Sequence, residues 1–226
     1  MKIKINSQVK FLKSGISGIA LDIDETLSVT SPILFKFLNQ KFGNPENLTD
    51  KEVQQKYLFT QNVPYWQTEE ALQFIESLRN NHDMHLKFAL TDGVYESVKE
   101  ISKLVPIVAY LTVRPQLVLT ATAKWLKKHN LPEATIIARP DNIPYEQGNI
   151  WKAAMLEKLY PQIIGIVDDN PGLVDALSET YPGVVFMYGR VDHPKKRINI
   201  IPSKTWQDVV HHSRTYFSQQ VYSKTV

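Results

Sequence analysis

The strongest constraint on the fold of this chain is a set of five short, nearly all-apolar runs. They are Ser17 to Leu21, Pro106 to Leu111, Thr135 to Ala138, Ile163 to Val167 and Val184 to Tyr188. A strand with one wet face alternates apolar and polar residues, whereas a continuous apolar run fits a strand covered on both faces. Amphipathic stretches lie between the later runs. Gln116 to His129 places Leu119, Ala123 and Leu126 on one helical face, and Ile150 to Leu159 stops at Pro161. Asn170-Pro171 starts a third helix, with Pro at a favourable first position. Strands alternating with helices predict an α/β fold, a Rossmann-like doubly wound parallel sheet covered by helices.

One interval breaks the alternation. From Ser28 to about Lys103 helical patterns dominate instead, at Ile33 to Lys41, Lys51 to Leu58 and Glu69 to Arg79, with Lys87 to Leu90 as a short returning strand. The pattern predicts a core domain from residues 1–27 and 104–226, with residues 28–103 inserted as a small helical subdomain. A terminal helix follows over Thr205 to Phe217, with Thr205 and Asp208 as its capping pair and a polar tail beyond.

Composition narrows the function. With 43% hydrophobic and 22% charged residues in 226, the chain has the balance of a globular protein, and 10% aromatic residues exclude a disordered or fibrous one. A formal charge of +3, from 26 basic and 23 acidic residues, is too weak and dispersed for a nucleic-acid polymer surface yet suits a small anionic substrate. Cys is absent, which excludes disulfides, thiolate zinc sites and cysteine nucleophiles. The start, Met1-Lys2-Ile3-Lys4-Ile5 with Lys10 and Lys13 beyond, shows no apolar run of signal-peptide or membrane-spanning length, so a cytoplasmic location away from membranes is expected.

The run Gly18 to Leu21 leads directly into Asp22-Ile23-Asp24-Glu25-Thr26, two carboxylates spaced two apart. In extended backbone they project to the same side, and like charges that close need a cation between them or a proton on one. An Asp-rich turn closing a strand is the plainer alternative for this pair alone. A second buried run, Ile163 to Val167, also ends in carboxylates, Asp168-Asp169. In one parallel sheet the four acids meet at the carboxyl edge, where open α/β sheets bind ligands. An oxygen-only cluster of this kind suits a hard ion such as Mg²⁺.

With these residues in place the chain resembles the haloacid dehalogenase superfamily of Mg²⁺-dependent phosphohydrolases, whose four motifs fall in order over nearly the whole sequence. The first matches Asp22 to Thr26, with Glu25 where many members have Gly, and the second matches Thr112 in Leu111-Thr112-Val113-Arg114-Pro115. The third matches Lys152 in Gly148-Asn149-Ile150-Trp151-Lys152, and the fourth matches Asp168-Asp169. The resemblance implies Asp22 as the nucleophile that becomes an aspartyl-phosphate and Asp24 as general acid and then base. It implies a Mg²⁺ held by Asp22, Asp24 through its carbonyl, and Asp168 or Asp169. Thr112 and Lys152 would hold phosphoryl oxygens, with Thr26 in the cradle that follows Asp22. Arg114 is either a contact to a second anionic group or a structural ion pair.

The insert position resembles the family's helical cap. Its aromatic cluster, Tyr57, Phe59, Tyr65 and Trp66, is either a stacking surface for a nucleobase, as in the 5'(3')-deoxyribonucleotidase-like branch, or the core of a small subdomain. Trp151, His211 and His212 read as structural or solvated. The expected activity is phosphomonoester hydrolysis on a small phosphorylated metabolite, with a nucleotide among the candidates. Phosphotransfer to an acceptor other than water, and noncatalytic phosphate binding, are the alternatives; the second would be signalled by loss of Asp22 or Asp24, and both are present.

Overall fold

The computed structural model describes residues 15–192 and 196–223; the amino-terminal stretch Met1 to Lys13 lies outside them. The parallel sheet has six strands: Gly18–Leu21 (β1), Ile107–Pro115 (β4), Thr135–Arg139 (β5), Ile163–Asp168 (β6), Val184–Tyr188 (β7) and Asn199–Ser203 (β8). Their order is β5-β4-β1-β6-β7-β8, and every neighbouring pair is parallel. The chain steps outward from β1 through β4 to β5, then returns to β6 and steps outward the other way. β1 is therefore the point of reversal, beyond whose carboxyl end such sheets form their ligand crevice.

Each of the five apolar runs became a strand. β8 was not legible, because Pro202 lies within it and cannot donate to a ladder; as the edge strand it tolerates that loss. β4 runs past Leu111 to Pro115, with Pro115 opposite Arg139, so Thr112 and Arg114 are strand residues.

Alternate residues of β1 serve two layers, as the strand pleat requires. Ile19 and Leu21 pack with Val98 and Ile101 of Val94–Leu104 (α5) and with Trp206 and Val209 of Trp206–Ser223 (α9). Ala20 on the other face packs with Trp151 and Leu156 of Gly148–Leu159 (α7) and Leu173 of Pro171–Ala176 (α8). α9 opens with the capping box read from sequence: the Asp208 N–H donates to Thr205 Oγ1 at 3.2 Å, and Asp208 Oδ2 accepts from the Thr205 N–H at 2.9 Å. Leu119–Lys128 (α6) completes the helices after β4.

The interval after β1 holds Ser31–Phe42 (α1), Asp50–Tyr57 (α2), Glu69–Arg79 (α3) and His82–His85 (α4). Two short strands clasp its base: Ser28–Val29 (β2) pairs antiparallel with Ala89–Leu90 (β3), so the Lys87 to Leu90 strand pairs with β2, outside the main sheet. α1, α2 and α3 share an apolar cluster of their own, built on Phe35, Leu38, Val53, Val63, Trp66, Ala71 and Ile75. α5, although within 28–103 in sequence, joins the sheet's cluster through Val98 and Ile101.

Trp66 sits at the centre of this small cluster. It is fully buried, 5.6 Å edge-on from Phe35, and its Nε1 donates to the Gly43 carbonyl at 3.0 Å. Truncating a side chain of this size leaves a cavity the surroundings cannot fill, so Trp66→Ala is expected to cost about 3–5 kcal/mol. Urea unfolding followed by far-UV circular dichroism measures this.

Candidate active site

Residues from three elements meet at the carboxyl edge. Leu21 pairs with Val167, which brings Asp22, just past β1, beside Asp168 at the end of β6; the Asp22 N–H donates to the Val167 carbonyl at 2.9 Å. Lys152 reaches them from α7. Its Nζ donates to Asp22 Oδ1 at 2.7 Å and to Asp168 Oδ2 at 2.8 Å, and all three side chains are buried. Gly148 makes the approach feasible: a Cβ there would lie 2.2 Å from Val113 Cγ1, so the glycine lets α7 start hard against β4, one turn before Lys152.

Asp169 completes the cluster. Carboxylate oxygens of Asp22, Asp168 and Asp169 all lie within 4.8 Å of one another. Thr26 sits between the pairs, its hydroxyl donating to Asp169 Oδ1 at 3.1 Å and lying 3.5 Å from Asp22 Oδ2. Three carboxylates face one ammonium, so two negative charges are left over, which a divalent cation would balance. The protonation equilibria reflect that excess. Burial lifts Asp22 to about 7 against the pull of Lys152, with Asp168 adding to the rise. Burial and then the charges of Asp168 and Asp22 push Asp169 well above the usual carboxylate range. Burial alone would lower Lys152, but the two carboxylates outweigh it and hold the ammonium above its ordinary value.

Asp24 departs from the four-acid cluster read in the sequence. β1 ends at Leu21, so Asp22 and Asp24 are not held on one face of a strand, and their side chains reach different partners, Lys152 and Arg114. Asp24 turns to Arg114, whose Nε lies 3.0 Å from both carboxylate oxygens and whose Nη2 donates to Oδ1 at 2.6 Å. Of the two roles open to Arg114, the structure has the ion pair: the residue is 3% exposed, and its guanidinium also donates to Ser28 Oγ at 3.1 Å. Burial would raise Asp24, but the charge and hydrogen bonds of Arg114 outweigh it and hold the carboxyl below its ordinary range. The side-chain cluster that can hold a cation is thus Asp22, Asp168 and Asp169, without the Asp24 carboxylate.

Glu25 has a structural reason. Its φ is +60°, the left-handed region that costs roughly 1 kcal/mol or more for a residue with a Cβ, and Gly occupies it freely. In return Glu25 Oε1 accepts from the N–H groups of Thr30 at 2.8 Å and Ser31 at 2.6 Å, satisfying donors at the start of α1. The side chain ties the insert's first helix to the turn that carries Asp22.

A cavity of about 200 Å³ opens over this edge, and Asp22, Asp24, Arg114, Lys152 and Asp169 line it. Thr112 is fully buried behind the wall, and its Oγ1 accepts from the Arg114 N–H at 3.1 Å. The structure does not bring Tyr65 and Trp66 to the cavity. Both pack in the insert's own cluster, and Tyr65 Oη donates to Glu46 at 3.4 Å, so the cluster is a core, with Phe59 alone of its four aromatics on the cavity wall. The sequence reading missed Arg79, His85 and Tyr145, which line the cavity from α3, α4 and the turn before α7. No local pattern marks them; only the packing of the insert over the sheet brings them to the site. Trp151 is a core residue, and His212 Nδ1 lies 3.0 Å from Ser203 Oγ. No helix among the described residues is long and apolar enough to cross a membrane.

No family model matches the chain, and no curated protein matches it in sequence. Solved structures share its architecture. A predicted phosphoglycolate phosphatase from Haemophilus somnus aligns with a TM-score of 0.53 at 15% identity, over 88% of this chain and 98% of that one. A structure described as a dehalogenase gives a TM-score of 0.51 at 12% identity, over 87% and 96%. A Had-superfamily hydrolase from Ehrlichia chaffeensis gives 0.47 at 15% identity, over 89% and 98%. The first two likenesses establish the fold, a Rossmann-like α/β sheet shared with nearly the full length of both structures.

The excess charge at the cluster gives a test that needs no substrate. Folding lifts Asp22 from 3.8 to about 7, so between those values the folded chain holds a proton the unfolded chain releases. This group's contribution to metal-free stability is therefore present at low pH and lost as pH rises through about 7. A divalent cation held by the cluster would take the proton's place, and its stabilisation would grow over the same window. Thermal melts with and without excess Mg²⁺ are expected to show a larger upward shift near pH 8 than near pH 5.5. A shift no larger at the higher pH contradicts the assignment of the cluster.

Proposed function

We propose that this chain is a Mg²⁺-dependent phosphohydrolase that cleaves a small phosphomonoester through an aspartyl-phosphate on Asp22. The observation that carries the reading is the buried bridge of Lys152 between Asp22 and Asp168 at the reversal point of the sheet. An ammonium at that position both orients the attacking carboxylate and offers positive charge to the oxygens of the group it attacks. The ordered motifs support it, as does the fold shared with a structure described as a predicted phosphoglycolate phosphatase.

In the first step an Asp22 carboxylate oxygen bonds to phosphorus as the bond from phosphorus to the leaving oxygen breaks. Asp24 gives that oxygen a proton. In the second step a water oxygen bonds to phosphorus, the bond to Asp22 breaks, and Asp24 takes the water's proton. The Arg114 fork favours the ionised form of Asp24, the form that takes the water's proton in the second step, and the proton that Asp24 passes to the leaving oxygen in the first enters with the monoanionic ester. By the motif order Thr112 is assigned to a phosphoryl oxygen and Thr26 to the cradle. Asp22, Asp168 and Asp169, with the Asp24 carbonyl, would hold Mg²⁺, which when bound supplies positive charge against the phosphoryl oxygens.

The insert within 28–103 is assigned as the cap that shields this edge, built on the α1–α3 cluster. The substrate is a small phosphorylated metabolite. A cavity of about 200 Å³ is below the ~300–1,000 Å³ of sites for drug-sized ligands, and the aromatic pair that favoured a nucleobase lies elsewhere.

Asp22→Asn conserves volume and relieves charge repulsion, so it is expected to retain the fold while lowering the rate of p-nitrophenyl phosphate hydrolysis by about a thousandfold or more. Exhaustive chelation of the wild-type chain is expected to abolish phosphate release, with recovery on adding Mg²⁺. Undiminished release in either experiment contradicts the proposal.

A further inference from the structure

The wall contributed by the insert carries two groups that the reaction steps leave unused, Arg79 and His85. Arg79 is the last residue of α3, and its guanidinium carbon lies 3.4 Å from the centre of the Tyr145 ring, in the turn that leads into α7. Stacking holds the guanidinium plane flat and leaves the N–H donors around its edge available.

Three cationic side chains line the cavity among the described residues. Lys152 is held by two carboxylates within 2.8 Å, and Arg114 is forked on Asp24. The carboxylate nearest Arg79 is that of Glu76, at 3.6 Å, and Glu76 is half exposed and does not line the cavity. Arg79 is therefore the lining cation least committed to a protein partner, on a side chain only 17% exposed.

His85 is an independent observation on the same wall. The residue is 4% exposed, and Nε2 lies 2.8 Å from the Arg79 carbonyl. A carbonyl only accepts, so Nε2 carries the hydrogen and, in the neutral ring, Nδ1 is left as a lone pair. That atom is buried and has no hydrogen-bond partner among the described residues. Burial, with the nearby Arg114 charge, lowers the His85 pKa and favours the neutral ring. Buried polar atoms are nearly always paired, so this unpaired acceptor, on a residue that lines the cavity, is a group for which the described residues supply no partner.

We propose that Arg79 binds a second anionic group, a carboxylate or a phosphate, on the leaving-group side of the substrate, with His85 Nδ1 accepting from a hydroxyl or water beside it. The inference rests on the phosphohydrolase reading and narrows its substrate class to short phosphomonoesters with a second oxyanion. The cavity holds cationic groups from both walls: Lys152 on the sheet side for the phosphoryl group, Arg79 on the insert side for the other end. Its volume of about 200 Å³ leaves space for only a short link between them. Because Tyr145 already restrains the guanidinium, little conformational freedom is lost when the anion binds.

The test uses non-hydrolysable probes on the full chain with Mg²⁺, by calorimetry. The probes are 3-phosphonopropionate, with a carboxylate, ethylene-1,2-bisphosphonate, with a second phosphonate, and propylphosphonate, with neither. The wild type is expected to bind at least one of the first two about tenfold more tightly than propylphosphonate, and which one identifies the second group. Arg79→Met, which keeps an aliphatic stem on Tyr145, is expected to bring that ratio within about threefold, and Arg79→Lys to retain part of it. If the stack is only a latch between insert and core, Arg79→Met weakens every probe by the same factor and the ratio persists, which overturns the proposal. A wild type that shows no preference overturns it whatever the variants do. Preference without p-nitrophenyl phosphate hydrolysis overturns the phosphohydrolase reading and leaves the subsite standing; hydrolysis without preference does the reverse.

Discussion

A buried ammonium between two buried carboxylates, Lys152 between Asp22 and Asp168, is the interaction on which the rest of the site depends. None of these charges is stable in a low-dielectric interior alone, and removing the Lys152 ammonium would leave the carboxylates uncompensated. Three elements must therefore arrive in register. β1 and β6 pair so that Asp22 and Asp168 emerge side by side, and α7 starts at Gly148 because only a glycine fits against Val113 there. The apolar layers on both faces of β1 supply the stability that allows so many charges at one edge.

Two aspartates two residues apart are made chemically different by their neighbours. Asp22 faces two further acids and is raised, whereas Asp24 faces Arg114 and is lowered. Environments that push paired acids apart are how one site separates nucleophile and metal ligand from proton carrier. Glu25 follows Asp24 directly and ties this segment to α1, so the insert is anchored to the site as well as packed over it.

The buried strands were legible because continuous Ile and Val runs have few other solutions, and the acid pairs were legible because each follows such a run directly. Lys152, Thr26 and Asp169 follow from that order. The Arg114 to Asp24 pair was not settled by sequence, since it joins residues 90 apart and depends on where β1 stops. β8 was hidden by Pro202, which reads as a break unless the strand is known to be an edge. Tyr65 and Trp66 were ambiguous for a general reason: aromatic residues fill small cores and line pockets with equal ease, and only burial separates the two. Arg79, His85 and Tyr145 carry no pattern at all, because they converge through the docking of the insert.

The central claim is that Asp22 becomes covalently phosphorylated at this edge. Rapid acid quenching of the Mg²⁺-loaded chain during turnover of p-nitrophenyl phosphate, followed by peptide mass spectrometry, tests it directly. The account predicts one added phosphoryl group on the peptide containing Asp22, removed by hydroxylamine as an acyl phosphate must be. Turnover with a phosphoryl group on a different peptide, or with none on any, would contradict it.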